Sequence, residues 1–232
     1  MVETDTGGGC PSLPRHEPDP SDVQPSPGMR SETPATLRRA LRVHRRTLSE
    51  ETQRSHALAM ARRLGQEPVF LHARRIGIYW PTDGEIDPRV LLNLSQAGAK
   101  RWSLPVLCPH PQPRLWFLSY RPGEPTRPNR FGIPEPARRN RRLRLARSLD
   151  ILLLPLVGFD ADCNRMGMGA GYYDRTLGYL AHREHWRRPR LIGVAHECQR
   201  VDRLPVQPWD VPLDLIVTED WVYRRRGALG RR

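Results

Sequence analysis

The chain has 232 residues, enough for one sizeable core but hardly for two domains, and carries 38 lysines and arginines against 25 aspartates and glutamates, for a formal charge of +13. No apolar run is long enough for a membrane helix, the amino-terminal stretch lacks the apolar core of a signal peptide, and Cys10, Cys108, Cys163 and Cys198 show neither CxxC spacing nor a companion histidine cluster. These features argue against a membrane protein, a disulfide framework and a zinc site, and point to reduced thiols in a cytoplasmic protein.

Lys100 is the only lysine, so the basic excess reads as a coding bias toward arginine more than as a basic face. The positive field that remains suits polyanionic small molecules as well as it suits RNA.

Segment 1–32 is rich in Gly, Pro, Ser and acidic residues and is expected to be a disordered tail, because it cannot bury enough apolar surface to offset its ordering entropy. Thr33 and Pro34 supply an N-cap and a first helical position, which predicts a helix over 34–46. Its Arg38, Arg39, Arg42, Arg45 and Arg46 read as a solvated face. Ser49, followed by Glu50 and Glu51, starts a second helix that runs to Leu64 and ends at Gly65.

RIGIYW over 75–80 predicts a strand, and Pro81-Thr82-Asp83-Gly84 a turn before Glu85-Ile86-Asp87. A helix over 88–97, closed by Gly98, and a strand over 101–106 complete a strand-loop-helix-strand order that calls for a parallel α/β sheet. Ligands of such sheets sit beyond the carboxyl ends of the strands, where Trp80 and Glu85 stand. A strand over 114–120 follows, then a proline-rich loop over 121–136 ending in Phe131-Gly-Ile-Pro-Glu-Pro136, a composition foreign to a central strand. The run 138–147 holds six arginines and reads as a solvated helix or loop. Without interleaved aromatics it offers no base-stacking surface, which disfavours nucleic acid as a partner.

The apolar strand 151–157 runs into GFDADCNRMGMGAGYYDRTL, the stretch richest in chemistry. Gly167, Gly169 and Gly171 alternate, so the backbone can take positive φ and bring its N–H groups close to a polyanion. The helix expected over 172–181 would turn the positive end of its dipole toward the same charge. Arg165 can fork onto phosphate oxygens, and Asp174 is placed to hold Mg²⁺. A strand over 191–195 leads to His196-Glu197-Cys198-Gln199. Asp210, in Pro208-Trp209-Asp210-Val211-Pro212, precedes a last strand over 214–218, and 221–232 reads as a loose basic tail.

Pro155-x-x-x-Phe159-Asp160, followed by Arg165-Met-Gly-Met-Gly-Ala-Gly-Tyr-Tyr-Asp174, resembles the signature of the 5-formyltetrahydrofolate cyclo-ligase (methenyltetrahydrofolate synthetase) family. The basic first helix, the Gly-Glu-Ile-Asp stretch at 84–87, FGIPEP and Pro-Trp-Asp occur in family order. The resemblance covers residues 34–220 and implies one domain over 33–220, a three-layer α/β/α sandwich with a mostly parallel sheet. It implies ATP-dependent cyclisation of 5-formyltetrahydrofolate to 5,10-methenyltetrahydrofolate with Mg²⁺; the protein is expected to be a monomer or weak dimer.

On that resemblance, Arg38, Arg165, Met166, Gly167, Met168, Gly169, Ala170, Gly171, Tyr172 and Tyr173 meet ATP. Trp80, Glu85, Phe131 and Tyr172, with the backbone of 168–171, surround the reduced folate, and Asp174 and Asp210 hold the metal. Arg165 and Asp174 are the residues assigned to catalysis. Three positions depart from the pattern: Pro34 stands where the family has a lysine, Met166 replaces the usual leucine, and Ala170 sits where some members carry a lysine. A non-catalytic relative that binds folate or nucleotide, or an arginine-rich RNA-binding protein, is the alternative.

Overall fold

The computed structural model describes residues 33–109, 111, 113–137, 143–180, 188–207 and 210–225. Two helices open the chain, α1 (Pro34–Arg46) and α2 (Glu50–Gln66), followed by the short α3 (Pro68–His72) and strand β1 (Arg75–Gly77). Two 3-10 turns, Pro88–Asn93 and Ser95–Ala99, lead to β2 (Arg101–Leu107) and β3 (Leu115–Tyr120). Next come the strands β4 (Thr126–Pro128), β5 (Pro134–Pro136) and β6 (Leu143–Arg144), then β7 (Ile151–Pro155). The pair β8 (Gly158–Phe159) and β9 (Arg165–Met166) precedes α4 (Tyr172–Leu177), and β10 (Arg190–Val194), β11 (Leu215–Val217) and β12 (Val222–Arg224) complete the described elements.

Eight strands form one sheet in the order β12-β11-β10-β7-β1-β2-β3-β6, while β4-β5 and β8-β9 are separate antiparallel pairs. The five strands from β11 to β2 run parallel, β12 and β3 join them antiparallel at the two edges, and β6 pairs antiparallel with β3 and so runs with the five. β7 lies near the centre, with Ile76 opposite Ile151 on one side and Ile192 opposite Leu153 on the other.

Side chains alternate across a strand, and both faces of this sheet are covered. Ile151 and Leu153 of β7, Ile192 and Val194 of β10, and Leu215 and Val217 of β11 pack in one core with Met60 and Leu64 of α2 and Phe70 of α3. Leu152, Leu154, Leu191 and Ile216 point the other way, into a second core with Phe117 of β3 and Leu177 of α4. The result is the expected three-layer sandwich.

Local geometry departs from the sequence reading at several points. The Arg75 strand pairs regularly only to Gly77, although Ile78 N–H still reaches the Ser103 carbonyl at 2.9 Å. The helix expected over 88–97 is two 3-10 turns split at Leu94, whose ψ of 149° is extended. Gly65 lies inside α2, which stops at Gln66 because Glu67 precedes Pro68 and adopts an extended conformation. Segment 121–136 is a small hairpin apart from the main sheet, and Leu143–Arg144, expected in a solvated helix or loop, pairs with β3 at its edge. The strand at Leu215–Val217 is not the last, since Val222–Arg224 pairs antiparallel with it. α4 ends at Leu177 and tightens into a 3-10 turn, Gly178–Leu180.

The tail 1–32, Arg138 to Arg142, the end of the helix expected over 172–181, Trp209 and the last residues from 226 lie outside the described residues. Among the described residues no helix is long and apolar enough to cross a membrane, and Cys108, Cys163 and Cys198 are free thiols.

Candidate active site

A clamp between α1 and one tight turn frames the site. Glu85 N–H bonds the Thr82 carbonyl at 2.9 Å while Asp83 and Gly84 take φ of +55° and +74°, the pattern of a type I′ turn. That turn aims the Asp83 carboxylate at Arg42 and Arg45, each at 2.8 Å, and at Arg46. Arg45 is fully buried; it also donates to the Asp83 carbonyl at 2.9 Å and to the Leu156 carbonyl, past the end of β7, at 3.0 Å. Burial would raise the Asp83 carboxyl, but hydrogen bonds from Arg42 and Arg46 and the charge of Arg45 hold it below its usual value. Three of the five arginines expected on a solvated face are therefore structural.

The clamp seats α1 on the glycine-rich stretch. Leu37 and Leu41 pack with Val157, Met166 and Leu204. A Cβ on Gly158 would come within 2.5 Å of Leu41 Cδ1, so glycine sets how closely α1 approaches. Met166 is buried in this cluster, which leaves it mainly backbone to offer a ligand, whereas Met168 is 47% exposed.

Pro34, Arg38, Gly167, Gly169, Gly171, Asp174 and Asp210 line one cleft of about 270 Å³. Arg38 reaches across from α1 and donates its Nε to the Gly167 carbonyl at 2.8 Å. Gly169 and Gly171 take φ of +94° and +67°, and Gly171 caps α4. Gly167 has no positive φ, and a Cβ there would meet nothing within 4 Å. The Ala170 carbonyl accepts from Arg175. Since α4 has only 6 residues, its dipole is small, and anion handling here falls to backbone N–H groups and arginines.

Arg165 lines the same cleft as the two aspartates expected at the metal. Its guanidinium donates to Asp174 Oδ1 and, at 2.6 Å, to the Val211 carbonyl, so two of its donors are committed within the protein. Burial lowers its pKa, and the charges of Asp174 and Asp210 oppose that fall. Asp210 Oδ2 accepts the Gln207 N–H at 2.8 Å. Each aspartate thus uses one oxygen to fix its orientation and, among the described residues, has its second oxygen without a hydrogen bond. Two such carboxylates on one cleft fit Mg²⁺, which binds through one or two carboxylates together with substrate phosphates.

The residues expected at the folate divide into two groups. Glu85 accepts Thr82 N–H at 3.1 Å, and burial, only partly offset by the charge of Arg45, pushes its carboxyl up to about 7. Tyr173 is raised by its own burial and, to a lesser degree, by the charge of Glu85. Trp80 stacks edge-on to Tyr120 at 6.2 Å, with the Arg89 guanidinium 4.4 Å from its ring centre. In the second group, Phe131 is 54% exposed and meets Tyr172 edge-on at 5.9 Å, while Arg130 donates to the Tyr172 hydroxyl.

Sequence reasoning missed the residues that hold these groups in place. Glu135 accepts from Leu107 N–H and the Asn129 side chain, and Asn129 Oδ1 accepts from Phe131 N–H, fixing the FGIPEP loop. Buried Asp160 accepts from the backbone of Asp162, Asn164 and Leu204 and from the Asn164 amide, tying the β8-β9 loop to the far wall of the cleft. Asp160 four residues before Asn164 in a loop is a local turn signal that could have found this brace. Asp83 and Arg45, 38 positions apart, offered no such signal.

The model of the family described as "5-formyltetrahydrofolate cyclo-ligase family" matches residues 30–219. The chain belongs to that family. Among family relatives, the 5-formyltetrahydrofolate cyclo-ligase of Escherichia coli K12 is 37% identical over 185 residues, covering 79% of this chain and 98% of the relative. That of Haemophilus influenzae is 42% identical over 148 residues, 62% of this chain and 76% of the relative. The structure of Aquifex aeolicus 5,10-methenyltetrahydrofolate synthetase superposes with a TM-score of 0.68 at 30% identity, over 86% of this chain and 95% of that one. The protein is thus an enzyme of the cyclo-ligase family, and the resemblance drawn from its motifs is borne out.

Proposed function

We propose that this enzyme converts 5-formyltetrahydrofolate and ATP to 5,10-methenyltetrahydrofolate, ADP and phosphate, with Mg²⁺. The observation that carries this reading is the convergence of Arg38, the glycine-rich backbone, Asp174 and Asp210 on one cleft.

A formamide oxygen is a poor leaving group. Transfer of the γ-phosphoryl group to that oxygen breaks the bond to ADP and gives an iminium phosphate. N10 of the folate then attacks the formyl carbon, its hydrogen passes to the phosphate or to water, and phosphate departs, closing the ring. Such transfer asks a protein mostly for alignment and electrostatic stabilisation.

In this reading the N–H groups of 167–171 face the phosphates, and the terminal nitrogens of Arg38, whose Nε is fixed on the Gly167 carbonyl, add charge from above. Arg165 holds the Asp174 carboxylate in place through one terminal nitrogen and, in this reading, turns a remaining donor to a phosphate oxygen. Asp174 and Asp210 would hold Mg²⁺, which when bound neutralises charge on the phosphates. Glu85 and Trp80 meet the folate on one side, and Phe131 and Tyr172 offer ring faces to a flat heteroaromatic on the other. We further place the enzyme in the cytoplasm as a monomer or weak dimer.

The test is direct. Protein mixed with 5-formyltetrahydrofolate, ATP and Mg²⁺ yields the near-ultraviolet absorbance of methenyltetrahydrofolate only when all three are present, and Asp174→Asn loses most of the rate. Product formed without ATP contradicts the reading.

A further inference from the structure

Where α2 passes the carboxyl ends of β10 and β11, three side chains outside the cleft converge. His56 lies on α2, His196 directly after β10 and Glu219 just after β11. His56 Nδ1 is 3.0 Å from His196 Nδ1 and 3.0 Å from Glu219 Oε1. One ligand atom from each residue falls within 4.8 Å of the others.

The surrounding hydrogen bonds fix the donors. His196 Nε2 lies 3.2 Å from the Gly84 carbonyl, which can only accept, so Nε2 carries the hydrogen and Nδ1 turns a lone pair toward His56. A backbone carbonyl holding the far nitrogen of a histidine is the usual orienting contact of a metal ligand. Both Glu219 oxygens accept the Glu197 N–H, at 3.1 and 3.0 Å, which aims the carboxylate from behind. His196 is fully buried.

The spacing is that of a hydrogen bond from His56 Nδ1 and equally admits a small cation. Ligands at about 2.0–2.1 Å around a tetrahedral ion are themselves about 3.3 Å apart, close to both 3.0 Å separations. We propose that His56, His196 and Glu219 bind one Zn²⁺ ion, with water completing its shell on the partly exposed His56 side. Two imidazole nitrogens and one carboxylate are a donor set for Zn²⁺ and not for Mg²⁺, which takes oxygen. On binding, the hydrogen on His56 Nδ1 moves to Nε2, so that Nδ1 turns its lone pair to the ion. The ion would then cross-link α2 to the ends of β10 and β11, and through His196 back the turn that carries Asp83 and Glu85.

The experiment uses the full chain, stripped with chelator and titrated with ZnCl₂ against a chromophoric competitor. The expected result is one tight Zn²⁺ per chain and a raised melting temperature that MgCl₂ does not reproduce. His56→Ala, at a partly exposed helix position, and Glu219→Gln should each weaken binding by at least about 100-fold. A His182→Ala/His185→Ala variant, lacking the other closely spaced histidine pair of the sequence, should bind as before. Failure of the intact chain to bind Zn²⁺, or undiminished affinity in a folded His56→Ala variant, overturns the proposal. Should that variant not fold, Co²⁺ in the intact chain decides: visible bands of a tetrahedral nitrogen and oxygen site are expected, and a thiolate charge-transfer band overturns it.

Discussion

Gly167 separates what the glycine-rich loop needs for its own shape from what it needs for a ligand. A Cβ at Gly167 meets no heavy atom within 4 Å, and its backbone is not left-handed. Gly167→Ala should therefore leave the fold intact, or stabilise it by about 0.4–1 kcal/mol through a less flexible unfolded chain. A phosphate oxygen bound to this backbone would sit about 2.9 Å from a nitrogen, and a methyl group beside it must push the ligand away. Taking the penalty of overpacking, about 1–3 kcal/mol, KM for ATP should rise by about 5- to 150-fold, with KM for the folate unchanged. Gly171→Ala is the control. At φ +67°, with its Cβ 2.8 Å from the Arg175 guanidinium, it should lose about 1–2 kcal/mol of stability before any ligand is added. Thermal melts and steady-state kinetics on the two variants measure both quantities. An unaltered KM for ATP in a stable Gly167→Ala enzyme would refute the claim that nucleotide approaches this backbone.

Other consequences follow from the clamp, the sheet edge and the folate side. Arg45→Met removes hydrogen bonds to the Asp83 carboxylate and carbonyl and to the Leu156 carbonyl, while Arg42, Arg46 and Gln199 keep the carboxylate and the Leu156 carbonyl partnered; it should cost about 2–3 kcal/mol in urea unfolding, and a loss below about 1 kcal/mol would contradict the clamp. Asp150 accepts Arg74 and Arg75 N–H groups and pairs with the Arg75 and Arg188 side chains. Burial opposes its ionisation, but the Arg75 and Arg74 bonds prevail and lower its carboxyl from 3.8 to about 2. That stability, about 2 kcal/mol, is present above pH 3.8 and lost as pH falls through about 2; acid unfolding of Asp150→Asn should lack this component. For Glu85 the sign is opposite, because a carboxyl raised from 4.5 to about 7 favours the folded state below pH 4.5 and loses that contribution as pH rises through 7. Melting temperature should decline across this window, and Glu85→Gln should flatten the decline; an identical profile in the variant contradicts the assignment.

How much the sequence disclosed follows from how local each signal is. Thr33 and Pro34 mark the start of α1 to the residue, because an N-cap and a first-turn proline act within a few positions. The alternating glycines mark the loop for the same reason. The buried character of Arg45 was hidden, since its partner Asp83 comes from a distant turn and an arginine among arginines looks like a solvated face. β12 escaped notice because Val222–Arg224 is too short to show a period and is recruited by the edge of β11. The His56, His196 and Glu219 cluster spans most of the chain, and a search for cysteine spacing could not have reached it. Arg165 was read as a phosphate fork from its place before the glycines, and only the fold reveals that Asp174 engages it first.

The account rests on nucleotide binding between Arg165 and Asp174. Crystals grown with a non-hydrolysable ATP analogue and Mg²⁺ test this most directly. The phosphates should lie against the backbone of 167–171, under Arg38, with density for a cation bridging them to Asp174 or Asp210. A triphosphate lodged elsewhere, with that cleft filled only by water, would contradict it.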